Sequence, residues 1–350
     1  MSAVANEHPW LAVEPYKVSV EEYKSFRRDG YLIVRGLVLP EHVATLVAHT
    51  EDLIFGRVEV PGAEPYNPNA TLKEIENRLL RIHMMHLHME IWERYLLYPR
   101  VLDVVQALIG PDVAAMQTMM FIKGPGAFGQ GFHQDTYYIP TFPDSLIGAW
   151  IALDKADTEN GCLWMSPGSQ TEPIYPPTEG AAGYGEWGLD GLPTVANVGA
   201  HSNDDDNVMN GLKPIASRYS ERETPAIVEP GDVVFFGGHV LHRSLQNRSE
   251  DRMRRSFVNH YCNARSFTTW HGGNKNQILA RGNTHLEFAT PTFGTPCAAI
   301  DPTRCSISDN PLSPPMMMAT PEGTMAPQVP SGEDHDHGDD EPKFTVGATR

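Results

Sequence analysis

The sequence predicts a mainly β domain with a helical front, and three observations support this fold class. Helix signals dominate residues 1–112. Over residues 113–270, short apolar runs alternate with Gly, Pro, Asn and Asp, which is typical of an antiparallel sandwich or barrel. After about Pro296 the chain is rich in turn-forming and acidic residues and poor in core-forming ones. We therefore predict one domain over 1–305 and a low-complexity surface or disordered tail over 306–350.

The helical front is predicted to contain four helices and one strand. Ser19 and Glu22 form a capping-box pattern, which begins the first helix. Pro40 begins the second helix, because proline is tolerated in a first turn. In chain order, the predicted elements are a helix ending near Gly30, a strand over 31–38, and helices over 40–55, 72–98 and 101–109.

The β region is interrupted by one long irregular segment, residues 171–220. This segment is rich in Gly, Pro and Asn and contains the run Asp204-Asp205-Asp206. Long loops of this kind are typical of functional lids or mobile linkers. We predict an insertion or lid over 171–220.

Charge and cysteine content exclude several classes of protein. The 350 residues include 27 Lys and Arg against 44 Asp and Glu, for a net charge of −17, which argues against a general binder of nucleic acid or anionic membranes. No apolar run approaches the roughly 20 residues of a membrane span. The four cysteines are scattered, without a CxxC pair, as expected of reduced thiols. We expect a cytoplasmic protein that binds a small molecule, with no nucleic-acid or membrane partner and an undetermined oligomeric state.

One histidine–acid pair is favoured as a metal site. A His and an acidic residue two positions apart share a face in a strand but not in a helix. His133 and Asp135 follow a Gly-rich approach to a β segment, which makes them the favoured pair. The other pairs are predicted to be helical, surface or tail residues: His88 with Glu90, His285 with Glu287, and His337 with Asp339.

A second segment, EPGDVVFFGGHVLHRSLQN, supplies a turn, a buried strand and then His242. Two imidazoles and one carboxylate are the set that leaves three coordination positions open on Fe(II), as O2 chemistry requires. Ser244 shares a strand face with His242. An Arg at the start of the next strand, Arg254 or Arg255, is suited to clamp a carboxylate.

Three motifs resemble the phytanoyl-CoA dioxygenase family: HQD at 133–135, NGCLWMSPGSQ at 160–170 and HRSLQN at 242–247. The resemblance extends from about residue 20 to about residue 265. It implies a double-stranded β-helix, which is a cupin-like jelly-roll core packed by the N-terminal helices. It also implies an oxidoreductase, a dioxygenase that requires Fe(II), 2-oxoglutarate and O2.

The resemblance also implies roles for individual residues. His133, Asp135 and His242 match the catalytic iron ligands. Arg254 and Ser244 match the residues that hold the distal carboxylate of 2-oxoglutarate, although the spacing from His242 to Arg254 is about one residue longer than usual. Arg255 would face the opposite side, so Arg254 is favoured. His260 shares a face with Arg254 and is a candidate for a supporting contact. Further cosubstrate residues are Met119 and Arg81, with Arg78 or His83 as alternatives to Arg81.

The substrate is not identified by the sequence. Gln117, Gln134, Tyr137 and Trp150 are candidate pocket residues, although an aromatic side chain in a β core more often serves packing. A carboxylate at position 135 favours hydroxylation, desaturation or cyclisation over halogenation within this resemblance. We expect a small or medium soluble metabolite to be hydroxylated, with release of succinate and CO2. The alternatives are an acyl-CoA 2-hydroxylase of phytanoyl-CoA type, and a non-catalytic or 2-oxoglutarate-independent cupin-type metal-binding protein.

Overall fold

The computed structural model describes residues 13–59, 66–69, 71, 74, 81–178, 192–198 and 210–292. The predicted tail over 306–350 lies outside these residues, as do the middle of the predicted insertion and Arg78. Within the described ranges, no helix is long and apolar enough to cross a membrane.

The described chain forms two antiparallel sheets. The strands, in chain order, are β1 (Tyr31–Val34), β2 (Arg81–His83), β3 (Val113–Lys123), β4 (Gln130–His133), β5 (Ile147–Ala152), β6 (Leu163–Met165), β7 (Thr224–Ala226), β8 (Val233–Gly237), β9 (His242–Ser244), β10 (Arg254–Asn263) and β11 (Ile278–Arg281). The larger sheet has the order β1-β8-β5-β10-β3-β11, with β2 also paired to β3, and the smaller has the order β4-β9-β6-β7. The two sheets confirm the predicted jelly-roll class, although the predicted strand over 31–38 ends at Val34.

Alternate residues of β10 belong to different cores. Val258 packs between the two sheets, in a cluster that also contains Trp150 of the larger sheet and Met165 of the smaller one. Phe257 and Tyr261 lie in the cluster formed with the helices. Because successive side chains of a strand point to opposite faces, the even-numbered residues of β10 face the space between the sheets.

Five α-helices lie within the described ranges: α1 (Val20–Asp29), α2 (Pro40–Ile54), α3 (Glu90–Leu96), α4 (Pro99–Ile109) and α5 (Lys213–Ala216). The first, second and fourth confirm three of the helices predicted from the sequence. Leu46 of α2, Trp92 of α3 and Val105 of α4 are fully buried in the cluster on the outer face of the larger sheet. The helices therefore cover this face and leave the other face free to line the site.

The single helix predicted over 72–98 is wrong for residues 81–89, whereas α3 confirms it over Glu90–Leu96. Residues 81–83 form β2, which pairs with β3 through Arg81 and Phe121, Ile82 and Met120, and His83 and Met119. Met84 follows with a positive φ of 56°, which ends regular backbone structure because an L side chain is strained there. Ile82 is fully buried. Pairing along β3 therefore outweighs a local helical pattern, as tertiary context often does.

The capping box at the start of α1 gives a first stability prediction. Ser19 Oγ accepts a hydrogen bond from the backbone N–H of Glu22 at 3.2 Å, and the Glu22 carboxylate accepts from the Ser19 N–H at 2.7 Å. We expect Ser19→Ala to lower the free energy of unfolding by about 1 kcal/mol, because the backbone N–H of Glu22 loses its acceptor and the Glu22 carboxylate loses the Ser19 hydroxyl as a donor. Urea denaturation measures this. An unchanged denaturation midpoint would show that the start of α1 contributes nothing to global stability.

Candidate metal and cosubstrate site

His133, Asp135 and His242 converge between the two sheets. His133 ends β4 and His242 begins β9, and the two are direct partners in the β4–β9 pairing. Asp135 begins a short 3₁₀ turn one residue after β4, so the strand face that we expected it to share with His133 is wrong, although the two side chains still meet. Its Oδ1 lies 3.6 Å from Nε2 of His133 and 3.8 Å from Nε2 of His242. One potential ligand atom from each of the three residues lies within 4.8 Å of the others, and among the described residues this is the one group of His, Cys, Asp and Glu side chains that is arranged in this way.

Each imidazole of the group is oriented by a backbone carbonyl. His133 Nδ1 lies 2.9 Å from the carbonyl oxygen of Gly131, and His242 Nδ1 lies 2.9 Å from that of Val240. Because a carbonyl only accepts, each Nδ1 carries the proton and each Nε2 presents a lone pair. This tautomer is the one that binds a metal through Nε2. The donor set therefore fits a two-histidine, one-carboxylate iron site.

The third residue of the group is an ionised carboxylate. Burial would raise the pKa of Asp135, but the imidazoles of His242, His260 and His133 lower it, and the net shift is downward. Asp135 Oδ2 lies 3.0 Å from Nε2 of His260, which comes from β10 in the opposite sheet. A carboxylate that accepts such a hydrogen bond stays charged, as a metal ligand must.

Two neighbouring arginines on β10 have different surroundings. Arg255 donates to both oxygens of Asp154, at 2.7 and 2.8 Å, and to Glu51 of α2 at 3.2 Å. Arg254 is 3% exposed, donates to Ser256 Oγ at 3.0 Å and lies 5.5 Å from the ring centroid of Trp150. Its Nε is buried without a hydrogen-bond partner in the described chain. Burial lowers the pKa of Arg254 to about 10, so the guanidinium remains charged at neutral pH.

A buried lysine, which the sequence analysis missed, lies beside Ser244. Lys123 ends β3 as the direct partner of Arg254 in the β3–β10 pairing. Its Nζ donates to Ser244 Oγ at 3.1 Å and to the carbonyl oxygen of Leu245 at 2.7 Å. The signal in the sequence was a lysine at the end of an apolar strand run, because a lysine is rarely buried without a specific partner. Lys123 and Arg254 thus place two cations at one end of the space between the sheets.

Four further residues were predicted to face the cosubstrate or the substrate, and the structure places them at different points of the larger sheet. Met119 is partly buried between the sheets and pairs with Val258 of β10. Trp150 lies beside the guanidinium of Arg254. Gln117 is buried and its Nε2 lies 3.2 Å from Nδ1 of His83. The backbone of Arg81 lies in β2 instead of a helix.

Gln134 and Tyr137 flank Asp135 and connect it to the predicted insertion. The Gln134 amide donates to the carbonyl oxygens of His239 at 2.9 Å and Pro173 at 3.3 Å. Tyr137 is buried in an apolar cluster with Ile174, in the first residues of that insertion. Both side chains therefore fix the segment that carries the metal motif.

Curated relatives are similar to this chain over about 70% of its length. The peroxisomal phytanoyl-CoA dioxygenase of Rattus norvegicus is 27% identical over 253 residues, which cover 70% of this chain and 68% of that protein. Phytanoyl-CoA dioxygenase domain-containing protein 1 of the same species is 29% identical over 295 residues, or 73% of this chain and 94% of that protein.

Solved structures show the same fold. The non-heme alpha ketoglutarate dependent carbocyclase SnoK from nogalamycin biosynthesis has a TM-score of 0.51 at 19% identity, covering 73% of this chain and 89% of that one. EctD from S. alaskensis, solved with 2-oxoglutarate and 5-hydroxyectoine, has a TM-score of 0.51 at 16% identity, covering 74% and 82%.

The sequence profile of the family described as phytanoyl-CoA dioxygenase (PhyH) matches residues 26–256. This range includes the converging group His133, Asp135 and His242. It also includes Lys123, Ser244 and Arg254. The predicted family resemblance is confirmed: the chain belongs to the phytanoyl-CoA dioxygenase family, a family of oxygenases that depend on iron(II) and 2-oxoglutarate.

Proposed function

We propose that this protein hydroxylates an unactivated C–H bond of a small or medium soluble metabolite, with Fe(II), 2-oxoglutarate and O2, and releases succinate and CO2. One observation carries the proposal. A two-histidine, one-carboxylate group and a buried guanidinium, Arg254, lie between the same two sheets, and no carboxylate within ion-pair distance of Arg254 is found in the described chain. A buried charge of this kind is stable only when it is paired, so the pocket favours an anionic ligand.

The proposed roles of the residues follow from their contacts. His133, Asp135 and His242 hold iron(II), with Nδ1 of each histidine fixed by a carbonyl. Arg254, Ser244 and Lys123 bind the distal carboxylate of 2-oxoglutarate, because two cations and a hydroxyl meet there. When bound, iron(II), 2-oxoglutarate and O2 supply the oxidative decarboxylation that drives C–H oxidation. The protein contributes position, charge and a buried environment.

The spacing along β9 supports this division of roles. Ser244 follows His242 by two residues, so its side chain lies on the same face about 7 Å further along the strand. A chelating 2-oxo acid group at the metal and a carboxylate at Ser244 are the two ends of a short dicarboxylate. Lys123, held by the Ser244 hydroxyl, marks where the second carboxylate is expected.

The predicted insertion is proposed to cover the substrate side of the metal motif. Asn210 donates to the carbonyl oxygen of Phe132 at 2.8 Å, directly before His133. Ile174 and Leu212, from the two ends of the insertion, pack in one apolar cluster with Phe132 and Tyr137. Substrate binding at this surface is therefore expected to depend on residues 171–220.

A second candidate is an acyl-CoA 2-hydroxylase of phytanoyl-CoA type. The similarity to the rat phytanoyl-CoA dioxygenase favours it. The test is succinate release with phytanoyl-CoA as one member of a substrate panel. Release with this acyl-CoA and with no small metabolite of the panel would replace our first proposal.

We also propose the cytoplasm as the compartment. Cys162 and Cys262 are buried free thiols, and reduced thiols are typical of a reducing compartment. Fractionation of cells that express the full chain tests this, since recovery in peroxisomes would contradict it.

Anaerobic visible absorption tests the proposed cofactor site. Adding Fe(II) and then 2-oxoglutarate to the apoprotein is expected to give a charge-transfer band that neither gives alone, since the band requires both to be bound at one centre. The matched control is succinate, which has the two carboxylates but no 2-oxo group, and should give no band. Absence of the band with all components present would favour a cupin-type metal protein that does not use 2-oxoglutarate, or a non-catalytic one.

A further inference from the structure

The two oxygens of the Asp135 carboxylate have different neighbours. Oδ1 faces Nε2 of His133 at 3.6 Å and Nε2 of His242 at 3.8 Å. Oδ2 lies 3.0 Å from Nε2 of His260. A carboxylate can bind a cation through one oxygen or both. Oδ1 of Asp135 is therefore directed at the proposed metal site, and Oδ2 is directed at the opposite sheet.

His260 is suited to hold the second oxygen. Its side chain is 4% exposed and comes from the middle of the larger sheet, whereas Asp135 follows a strand of the smaller one. Because a carboxylate oxygen only accepts, the proton of this hydrogen bond lies on Nε2 of His260. Nδ1 is buried, and no hydrogen-bond partner is found for it among the described residues. Within the described chain, the Nε2–H of His260 is thus the group that ties it to the site by a hydrogen bond.

We propose that His260 is a positioning residue that keeps Asp135 bound to the metal through one oxygen. This inference rests on the proposed function. A chelating cosubstrate and O2 together need three positions on the ion, which two histidines and one singly bound carboxylate leave open. Without the hydrogen bond, Oδ2 is free to compete for one of these positions. His260 thus keeps a coordination position open for 2-oxoglutarate, and it also increases the affinity of the site for the metal.

Two variants separate the hydrogen bond from the shape of the side chain. His260→Phe keeps a ring of similar size but donates no hydrogen bond. His260→Gln places an amide N–H near the position of Nε2. The control is His42→Phe, because His42 is also buried but contacts Tyr95 Oη at 3.0 Å on the helical side.

The first measurement is the affinity of each apoprotein for Mn(II), which is determined from the EPR signal of the free ion. We expect His260→Phe to weaken Mn(II) binding by about 10–100-fold, the usual effect of losing a partner that orients a metal ligand. His260→Gln should recover most of this affinity, and His42→Phe should match wild type. The second measurement is the anaerobic absorption titration of Fe(II)-loaded protein with 2-oxoglutarate. At saturating Fe(II), the Phe variant should still require more 2-oxoglutarate than wild type.

The outcomes distinguish this inference from the proposed function. If wild type binds no Mn(II) and gives no absorption band, the proposed function fails. If wild type binds Mn(II) and 2-oxoglutarate but the folded Phe variant binds each of them equally well, the role of His260 is refuted. Equal losses in the folded Phe and Gln variants would refute the hydrogen bond as the cause. If thermal denaturation shows that the Phe variant is unfolded, His260→Asn replaces it, because its amide is too short to reach Asp135. Equal affinities of the Asn and Gln variants would then refute the proposal.

Discussion

Replacing Arg254 with methionine is expected to raise the 2-oxoglutarate concentration required for half-maximal turnover by about 30-fold or more. Truncating one partner of a buried, hydrogen-bonded charge pair costs roughly 2–5 kcal/mol of binding free energy. The variant should keep or exceed the melting temperature of the wild-type apoprotein, because it removes a buried cation with no carboxylate partner in the described chain. The measurements are 2-oxoglutarate-dependent succinate formation and thermal denaturation, with and without 2-oxoglutarate.

The matched control is Arg255→Met, one residue further along β10. Arg255 is ion-paired with Asp154 and Glu51 on the helical side of the sheet. This variant is expected to lower the melting temperature, because it leaves partly buried carboxylates without their partner. Its 2-oxoglutarate requirement should stay near that of wild type. The reverse pattern in the two variants would assign the carboxylate clamp to Arg255.

Removing a proposed iron ligand is expected to reduce succinate formation to the background without protein. His133→Ala and Asp135→Ala each delete one of three ligand atoms that lie within 4.8 Å of one another. Two ligands are not expected to hold Fe(II) at micromolar concentrations, because affinity depends on the full donor set. Metal content after gel filtration and succinate release measure the two effects, and circular dichroism tests the fold.

The sequence contains its own control for this prediction. His285 and Glu287 have the same spacing as His133 and Asp135, but both are exposed. His285→Ala and Glu287→Ala should therefore leave metal content and succinate release unchanged. Wild-type turnover in His133→Ala or Asp135→Ala would show that the metal assignment is wrong.

The sequence predicted the fold class and the converging group because these depend on local patterns. Strand periodicity and turn residues predicted the β region, and capping signals predicted α1 and α2. The choice of His133 and Asp135 over other pairs depended on their β context. The choice of Arg254 over Arg255 depended on alternation along one strand, and the structure places the two side chains in opposite environments.

Other features depended on contacts between distant segments. Residues 81–83 form a strand only because β3 offers a partner. Lys123 meets Ser244 across 121 residues of chain, and His260 meets Asp135 across 125. No local pattern encodes these separations.

The sequence by itself identified His133, Asp135, His242, Ser244 and Arg254 as candidates for metal and carboxylate binding, and it predicted that His242 and Ser244 share a strand face and that Arg254 and Arg255 face opposite sides. Period-two alternation and turn signals act over a few residues, so they can be read locally. The tertiary structure alone decided which charges are compensated. Arg255 meets carboxylates from two other elements, whereas Arg254 is buried between the sheets beside Trp150. It also decided that His260 holds one oxygen of Asp135. Both outcomes depend on how two sheets pack face to face, and packing brings together side chains that no sequence interval relates.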